Sequence, residues 1–175
     1  MSGCMSSMMG NQSVPLSEGL AQLKAEHIPL LEKLHGLSAL CTKIAEQENP
    51  DETFKQLKQA VKVFMEELEP HSEREEQVLF KMMENYLGVG MGPIAVMEYE
   101  HDMAKSFIGN FFEKTKENRD QLSVEKMKEY SELIKNAYLT LTDHFAKEEN
   151  VLFPMAENML SPEEKAELFE RINKI

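Results

Sequence analysis

The sequence of 175 residues lacks any apolar run close to the roughly 20 residues that a helix needs to cross a bilayer. A membrane-spanning protein is therefore not expected. Positive charge is also scarce, because 19 basic residues stand against 31 acidic ones, and the net charge is −12. The basic residues are scattered singly, so neither nucleic acid nor an anionic membrane surface is expected as a partner.

Cysteine is nearly absent, and the two examples are Cys4 and Cys41. Two widely spaced cysteines make neither a disulfide framework nor a CxxC metal site, and a reducing, cytoplasmic setting fits this usage. Residues 1–15 carry no charged side chain and lack the basic and apolar segments of a secretory signal. We expect these residues to form a flexible leader.

Apolar residues spaced three and four apart are abundant from residue 17 onward, and this spacing is typical of amphipathic helices. They form four series, called apolar stripes below, within residues 20–44, 54–82, 94–111 and 127–155. The fourth stripe is expected to end with Val151 and Met155 in the core. Four amphipathic helices follow from this pattern.

The stripes are separated by short polar or glycine-rich breaks at residues 49–51, 88–93 and 117–120. Loops this short require neighbouring helices to run antiparallel. The sequence therefore predicts an all-α fold, an antiparallel up-and-down four-helix bundle over residues 16–160. A Ser-Pro-Glu-Glu sequence beginning at Ser161 predicts a short C-terminal capping helix over residues 161–175, because it combines an N-cap, an N1 proline and a capping-box carboxylate.

The chain also contains an internal repeat, in which residues 71–85 and 144–158 match at nine of fifteen positions. Each copy is preceded by a Glu-His pair. The pairs are Glu26-His27 and Glu100-His101. We interpret this pattern as a duplicated helical hairpin, and we expect the two hairpins to place their polar groups alike.

Six strongly polar residues interrupt the otherwise apolar stripes. They are His27, His71, Glu75, His101, His144 and Glu148. Their positions place them in the core, where carboxylates without partners would be costly. No Lys or Arg occurs within a stripe, so the missing positive charge is most simply a metal.

Four imidazoles and two carboxylates are too many ligands for one structural zinc ion and suit two metal ions. If Glu75 and Glu148 both bridge, each metal receives two histidines and two carboxylate oxygens. Positions then remain for an oxo or hydroxo bridge and for a small exogenous ligand. Ligand type favours iron, with manganese and zinc as alternatives. A purely structural bundle with a buried polar network is a further alternative, and it predicts no stoichiometric metal.

Three other polar residues near the stripes are not expected to be ligands. His35 lies one position off the first stripe and is interpreted as a surface residue. Glu76 and Glu149 also lie outside the stripes, and we interpret them as solvated groups or as groups that support the ligands.

The motifs resemble those of the hemerythrin-like family, the HHE cation-binding domains, over roughly residues 17–158. The matching motifs are Glu26-His27, His71-x-x-x-Glu75-Glu76, Glu100-His101 and His144-x-x-x-Glu148-Glu149. The resemblance implies a four-helix bundle that holds a non-haem di-iron centre, with the six polar residues as its ligands.

Residues 91–102 are similar to a segment of the iron-sulfur-cluster repair proteins of that family, which respond to nitric oxide and oxidative stress. Oxygen-carrying hemerythrins have a second histidine four residues after the one that matches His101. Lys105 stands there in this chain. A lysine at this place argues against reversible oxygen transport.

The resemblance leads to a functional prediction, a cytoplasmic di-iron protein that binds or reduces a small ligand. The ligand would be O₂, NO or peroxide, in a role of defence, sensing or iron-sulfur repair, with an electron donor as a further partner. The alternative is a non-catalytic iron store or an iron or oxygen sensor. The sequence leaves enzymatic turnover and the oligomeric state open.

Overall fold

The computed structural model describes residues 14–116 and 122–175, and all regular secondary structure in those ranges is helical. Seven α-helices, α1 to α7, and two π-helical segments, π1 and π2, follow one another. In chain order they are α1 Glu18–Ala45, α2 Pro50–Arg74, π1 Glu75–Leu79, α3 Phe80–Leu87, α4 Gly92–Lys116, α5 Val124–Lys147, π2 Glu148–Leu152, α6 Phe153–Met159 and α7 Pro162–Ile172. The all-α prediction is confirmed.

Two of the four long helices are composite, since α2, π1 and α3 form one continuous helix and α5, π2 and α6 form another. Breaks occur close to the first two predicted places, at residues 46–49 and 88–91, and the next helices begin at Pro50 and Gly92. The third predicted break and residues 1–13 of the expected leader lie outside the described residues. Within the described ranges, no helix has both the length and the apolar character that a bilayer span needs.

Contacts between neighbouring helices show that they run antiparallel. Glu26 of α1 contacts His71 of α2 at 2.9 Å, and further along α1 Lys33 contacts Glu67 at 2.8 Å. Residue numbers therefore rise along α1 while they fall along α2. The helices of the second hairpin are antiparallel as well, because His144 contacts Glu100 at 3.2 Å and the Lys114 ammonium lies 5.5 Å from the Tyr130 ring.

The two hairpins close into one bundle through the remaining pairs of helices. The Cys41 thiol of α1 donates to the carbonyl of Ser131 in α5 at 3.4 Å. Lys58 of α2 donates to the carbonyl of Thr115 in α4 at 3.2 Å. Each long helix thus contacts two neighbours, and the apolar stripes meet in the middle.

The short C-terminal helix α7 forms as predicted and packs against the beginning of α1. Ser161 caps it, and a capping box with Glu164 is complete. The α7 side chain Leu168 is fully buried beside Gly19, whose missing side chain leaves room for this approach. Helix α7 therefore covers the end of the bundle where α1 begins.

The core divides into two apolar clusters. The larger cluster fills the half of the bundle between the 49–51 turn and the middle of the helices, and its buried members include Leu34, Val61 and Ile108. The smaller cluster lies under α7 and includes Leu23 and Phe80. The six polar stripe residues lie in the layer between these clusters.

The sequence pattern predicts unbroken α-helices through both copies of the repeat, and this prediction is wrong at π1 and π2. A π-helical turn contains an extra residue, so the following side chains are rotated by about 100° around the helix axis. Val151, a predicted core residue, is 48% exposed, and Met155 is only half-buried. Leu152 and Ala156 take the core positions instead.

Candidate metal centre

All six polar stripe residues meet in the layer between the apolar clusters, and none is more than 3% exposed. They form two overlapping groups of four, which share Glu75 and Glu148 and differ in their histidines. One group contains His27 and His71, and the other contains His101 and His144. Within each group the candidate donor atoms lie within 4.8 Å of one another. Each hairpin supplies both histidines of one group, and both carboxylates belong to both groups.

Six of the eight donor atoms that face the middle of this layer form no hydrogen bond. These atoms are Nε2 of His27, Nε2 of His71 and all four carboxylate oxygens of Glu75 and Glu148. The Nε2 atoms of His101 and His144 face each other at 2.8 Å. Leaving one such buried group unpaired costs about 1–3 kcal/mol. The donor set therefore fits bound cations, which would satisfy these atoms together.

The outer nitrogen, Nδ1, of every histidine in the centre contacts a glutamate. The pairs are His27 with Glu149 at 2.9 Å, His71 with Glu26 at 2.9 Å, His101 with Glu76 at 2.7 Å and His144 with Glu100 at 3.2 Å. When Nδ1–H donates to a carboxylate, the lone pair of Nε2 is left for a metal ion. The four glutamates thus orient all four imidazoles toward the middle.

These four orienting glutamates are neighbours of the centre residues in the sequence. Glu26 directly precedes His27 but orients His71 of the same hairpin. Glu100 likewise precedes His101 but orients His144. Glu76 and Glu149 follow a central glutamate, and each orients a histidine of the opposite hairpin. Of the two sequence interpretations of Glu76 and Glu149, the structure favours the supporting one, because each glutamate contacts a histidine of the centre. The repeated Glu-His and Glu-Glu doublets mark these four glutamates in the sequence, but they do not identify the histidine that each one contacts.

A basic side chain contacts each orienting glutamate from the outside. Lys24 lies 3.3 Å from Glu149, Arg74 lies 3.2 Å from Glu26, Lys105 lies 2.5 Å from Glu76, and Lys147 pairs with Glu100. This outer layer was not predicted from the sequence. Arg74 and Lys147 precede the central glutamates in the two copies of the repeat, but Lys24 and Lys105 share no such motif. The outer layer neutralises the glutamates that hold the histidines.

Both central glutamates are the first residue of a π-helical segment. His71 and His144 lie four residues earlier, at the end of the preceding α-helix, so imidazole and carboxylate project from the same side. The glutamate that follows each central one points to a histidine of the other hairpin. Single π-helical turns of this kind often occur at functional sites.

The local charges shift the pKa values of the centre. Burial lowers the pKa of the His101 imidazole, but Glu75 and Glu76 outweigh this effect and raise it to about 9. In turn, the hydrogen bond from His101 lowers the pKa of the Glu76 carboxyl to about 2. Burial opposes ionisation of Glu148, yet His144 and His27 keep its pKa below the ordinary value. In the metal-free chain the nearby carboxylates therefore favour the protonated form of the His101 imidazole.

Aromatic rings surround the histidines on the inside of the bundle. Phe145 stacks on His27 with ring centroids 4.3 Å apart, and Phe80 lies 5.5 Å from His101. Both phenylalanines are buried. By contrast, His35 is exposed, as predicted, and its ring lies beside Tyr138 rather than in the centre.

The chain belongs to the hemerythrin HHE cation-binding domain family, whose model matches residues 18–156. This result confirms the resemblance seen in the sequence. It also agrees with the unpaired donor atoms, because a cation-binding domain needs such a set.

Among curated proteins, the iron-sulfur cluster repair protein YtfE of Escherichia coli O157:H7 is 34% identical over 154 residues, which are 83% of this chain and 68% of that protein. YtfE proteins of Escherichia coli strain K12 / DH10B and of Shigella boydii serotype 18 are 38% identical over 97 residues. Those matches cover 52% of this chain and 42% of each relative. The similarity to these relatives therefore covers only part of their length.

Proposed function

We propose that this protein holds two iron ions and binds or reduces a small ligand, O₂, NO or peroxide, in stress defence or repair. The observation that carries the proposal is the pair of overlapping donor groups that share two buried carboxylates. Mixed imidazole and carboxylate ligands suit iron. Bound iron would satisfy the inner atoms that form no hydrogen bond, and this accounts for the burial of the ligands in one place.

In this proposal each residue of the centre has a defined task. His27 and His71 would hold one ion, His101 and His144 would hold the other, and Glu75 and Glu148 would be shared between them. An iron pair bound there, with an oxo or hydroxo bridge, would supply one-electron redox chemistry and open coordination positions. The orienting glutamates fix the imidazoles, and the phenylalanine rings limit the access of water.

The physiological role is proposed from the relatives. YtfE proteins are named for iron-sulfur cluster repair, and we extend that role to this chain, in a cytoplasmic setting. Reduction of a ligand needs electrons, so the proposal includes an electron donor as a partner. Repeated consumption of NO or peroxide by the iron-loaded protein would separate this function from iron storage or sensing.

The first test of the metal centre is elemental analysis after anaerobic loading with ferrous iron. We expect two irons per chain for the unaltered protein. The double variant His71→Ala with His144→Ala should lose most of this iron, because it removes one imidazole from each donor group. His35→Ala is the matched control and should keep both ions. Less than half a metal per chain in the unaltered protein would refute the proposed centre.

A further inference from the structure

A cavity of about 260 Å³ lies between α1 and α2 and extends to His71. Its lining includes the carboxylates of Glu26, Glu66 and Glu67 and the guanidinium of Arg74. His71 is only 1% exposed, and its Nε2 atom is one of the unpaired inner atoms. The cavity therefore approaches the metal centre from the side of one particular histidine.

Two prolines line the same cavity from opposite helices, Pro29 in the interior of α1 and Pro70 in the interior of α2. Proline has no N–H group, so the carbonyls four residues earlier, those of Ala25 and Glu66, receive no helical hydrogen bond from it. Pro29 lies two residues after His27, and Pro70 lies directly before His71. Both helices are therefore weakened beside the histidines of one donor group.

The second hairpin does not repeat these features, although it repeats the residues of the centre. The counterparts of Pro29, Glu66, Glu67 and Pro70 are Met103, Leu139, Thr140 and Asp143. The orienting Glu26 and its cation Arg74 do have equivalents, in Glu100 and Lys147. The prolines and outer carboxylates of the first hairpin are thus additional to what holding two ions requires.

We propose that this cavity is a transit site for divalent cations, and that the ion held by His27 and His71 exchanges faster than the ion held by His101 and His144. The inference rests on the proposed metal centre. An incoming cation meets Glu66 and Glu67 first and then Glu26, which contacts Nδ1 of His71. The Nε2 atom of that imidazole, on the other side of the ring, lies 3.4 Å from a carboxylate oxygen of Glu75. Movement of the His71 ring therefore connects the cavity with the centre.

The charges of the lining favour a cation over an anion. Three carboxylates are opposed by the Arg74 guanidinium and by Lys33, which pairs with Glu67 at 2.8 Å, so the negative charge is in excess by one. The guanidinium also donates to Glu26 and to the carbonyl of Ile172, both at 3.2 Å. Glu66 and Glu67 lie at the exposed mouth of the cavity. Carboxylates at the mouth of a narrow cleft raise the local concentration of cations.

The first test restores the missing helical donors with the double variant Pro29→Ala and Pro70→Ala. The protein is loaded anaerobically with ferrous iron, and transfer of iron to a coloured chelator is followed in time. We expect two phases in the unaltered protein. The fast phase should slow by about fivefold in the variant, because added helical hydrogen bonds oppose the opening. Pro154→Ala, the same change in the second hairpin, should leave both phases unaltered.

The second test removes charge at the mouth of the cavity with Glu66→Gln and Glu67→Gln. Uptake of ferrous iron should slow by roughly threefold at low ionic strength, and added salt should reduce the difference. A matched double variant, Glu129→Gln with Glu132→Gln, removes two exposed charges from α5 and should not change the uptake rate. Circular dichroism confirms that each variant remains folded.

The results separate this inference from the proposed function. If the unaltered protein binds no iron, the metal centre itself is wrong. If it binds two irons but releases them in one phase, the two ions are equivalent and the transit site is wrong. Unchanged rates in both the proline and the glutamate variants would also overturn the transit site while leaving the centre intact.

Discussion

At the scale of single residues, the centre consists of three layers of charge. Two carboxylates, Glu75 and Glu148, lie in the middle, and four histidines surround them. Outside the histidines, each orienting glutamate is matched by one lysine or arginine. Because the outer charges cancel, the two inner carboxylates are the ones left for bound cations to neutralise.

The orienting glutamates should control the strength of metal binding. The double variant Glu76→Gln with Glu149→Gln keeps the shape of both side chains and removes the charge that polarises His101 and His27. We expect the affinity for ferrous iron to fall by about tenfold or more, as measured by competition with a chelator. Glu170→Gln, an exposed change on α7, is the control. Equal affinities in all three proteins would contradict this role.

The metal-free protein should lose stability at high pH. The pKa of His101 is about 9 in the folded chain against an ordinary value of 6.5. A raised pKa stabilises the folded state fully below pH 6.5, and this stabilisation disappears as the pH rises through about 9. Thermal unfolding in the presence of a chelator should therefore show a falling melting temperature over this range.

Bound metal should reverse this pH dependence. Protons compete with metal for the imidazole nitrogens, so the iron-loaded protein should lose stability as the pH falls. The same thermal unfolding series without chelator measures this effect. Identical pH profiles for the loaded and the metal-free protein would show that the histidines do not bind the metal.

The six inner residues could be predicted from the sequence because each is a polar residue at an apolar position of its own helix. The orienting contacts of Glu76 and Glu149 could not, since they join helices that are distant in the chain. The same applies to Lys24 and Lys105, whose partners are set by packing between hairpins. Local periodicity reports which face of a helix is buried, but not which side chain it meets.

At the scale of helices, spacing predicts the four long helices and their ends but not the π-helical segments. In the first copy, Val78, Leu79, Met82 and Met83 are all apolar and all buried, so either register satisfies the pattern. In the second copy Val151 is apolar as well, and its spacing from Glu148 matches an α-helix. A run of adjacent apolar residues does not reveal an extra residue in the helical turn.

The register after π2 can be tested with two neighbouring substitutions. Leu152 is fully buried and Val151 is 48% exposed. Leu152→Ser should destabilise the protein by about 2–5 kcal/mol, whereas Val151→Ser should change stability by less than about 0.5 kcal/mol. Urea unfolding measures both values. The opposite order would mean that the helix continues as an α-helix through this segment.

The contact between α7 and α1 can be tested with glycine substitutions in one helix. A methyl group on Gly19 would lie 3.1 Å from Leu168 and 3.2 Å from the backbone nitrogen of Phe169, so α7 must move outward. At Gly36 the added methyl group meets nothing within 4 Å. We expect Gly36→Ala to stabilise the protein by up to about 1 kcal/mol and Gly19→Ala to destabilise it. Thermal unfolding compares the two.

At the scale of the whole molecule, the polar layer is enclosed by two apolar clusters that do not depend on it. The larger cluster packs all four long helices below the centre, and the smaller one joins their other ends to α7. Both clusters consist of side chains that are nearly fully buried. The bundle therefore has a source of stability apart from the metal.

Removal of iron should lower the melting temperature without unfolding the helices. The apolar clusters keep the bundle together, while the unpaired atoms of the centre lose their ions. We expect nearly unchanged far-ultraviolet circular dichroism after chelation, together with a lower melting temperature that recovers when ferrous iron is added. A large loss of helicity would instead support a sensor whose fold depends on metal.

The hydrogen bonds that His101 donates to Glu76 and His27 donates to Glu149 join the two hairpins in both directions. A single hairpin possesses two histidines and one central carboxylate, but one of its imidazoles lacks the group that orients it. An ancestor with only half of this sequence would therefore have needed a second copy of itself to complete a centre. Duplication within one chain keeps the two halves together. It also allows the sequence of each half to change separately, as the prolines and outer carboxylates of the first hairpin illustrate.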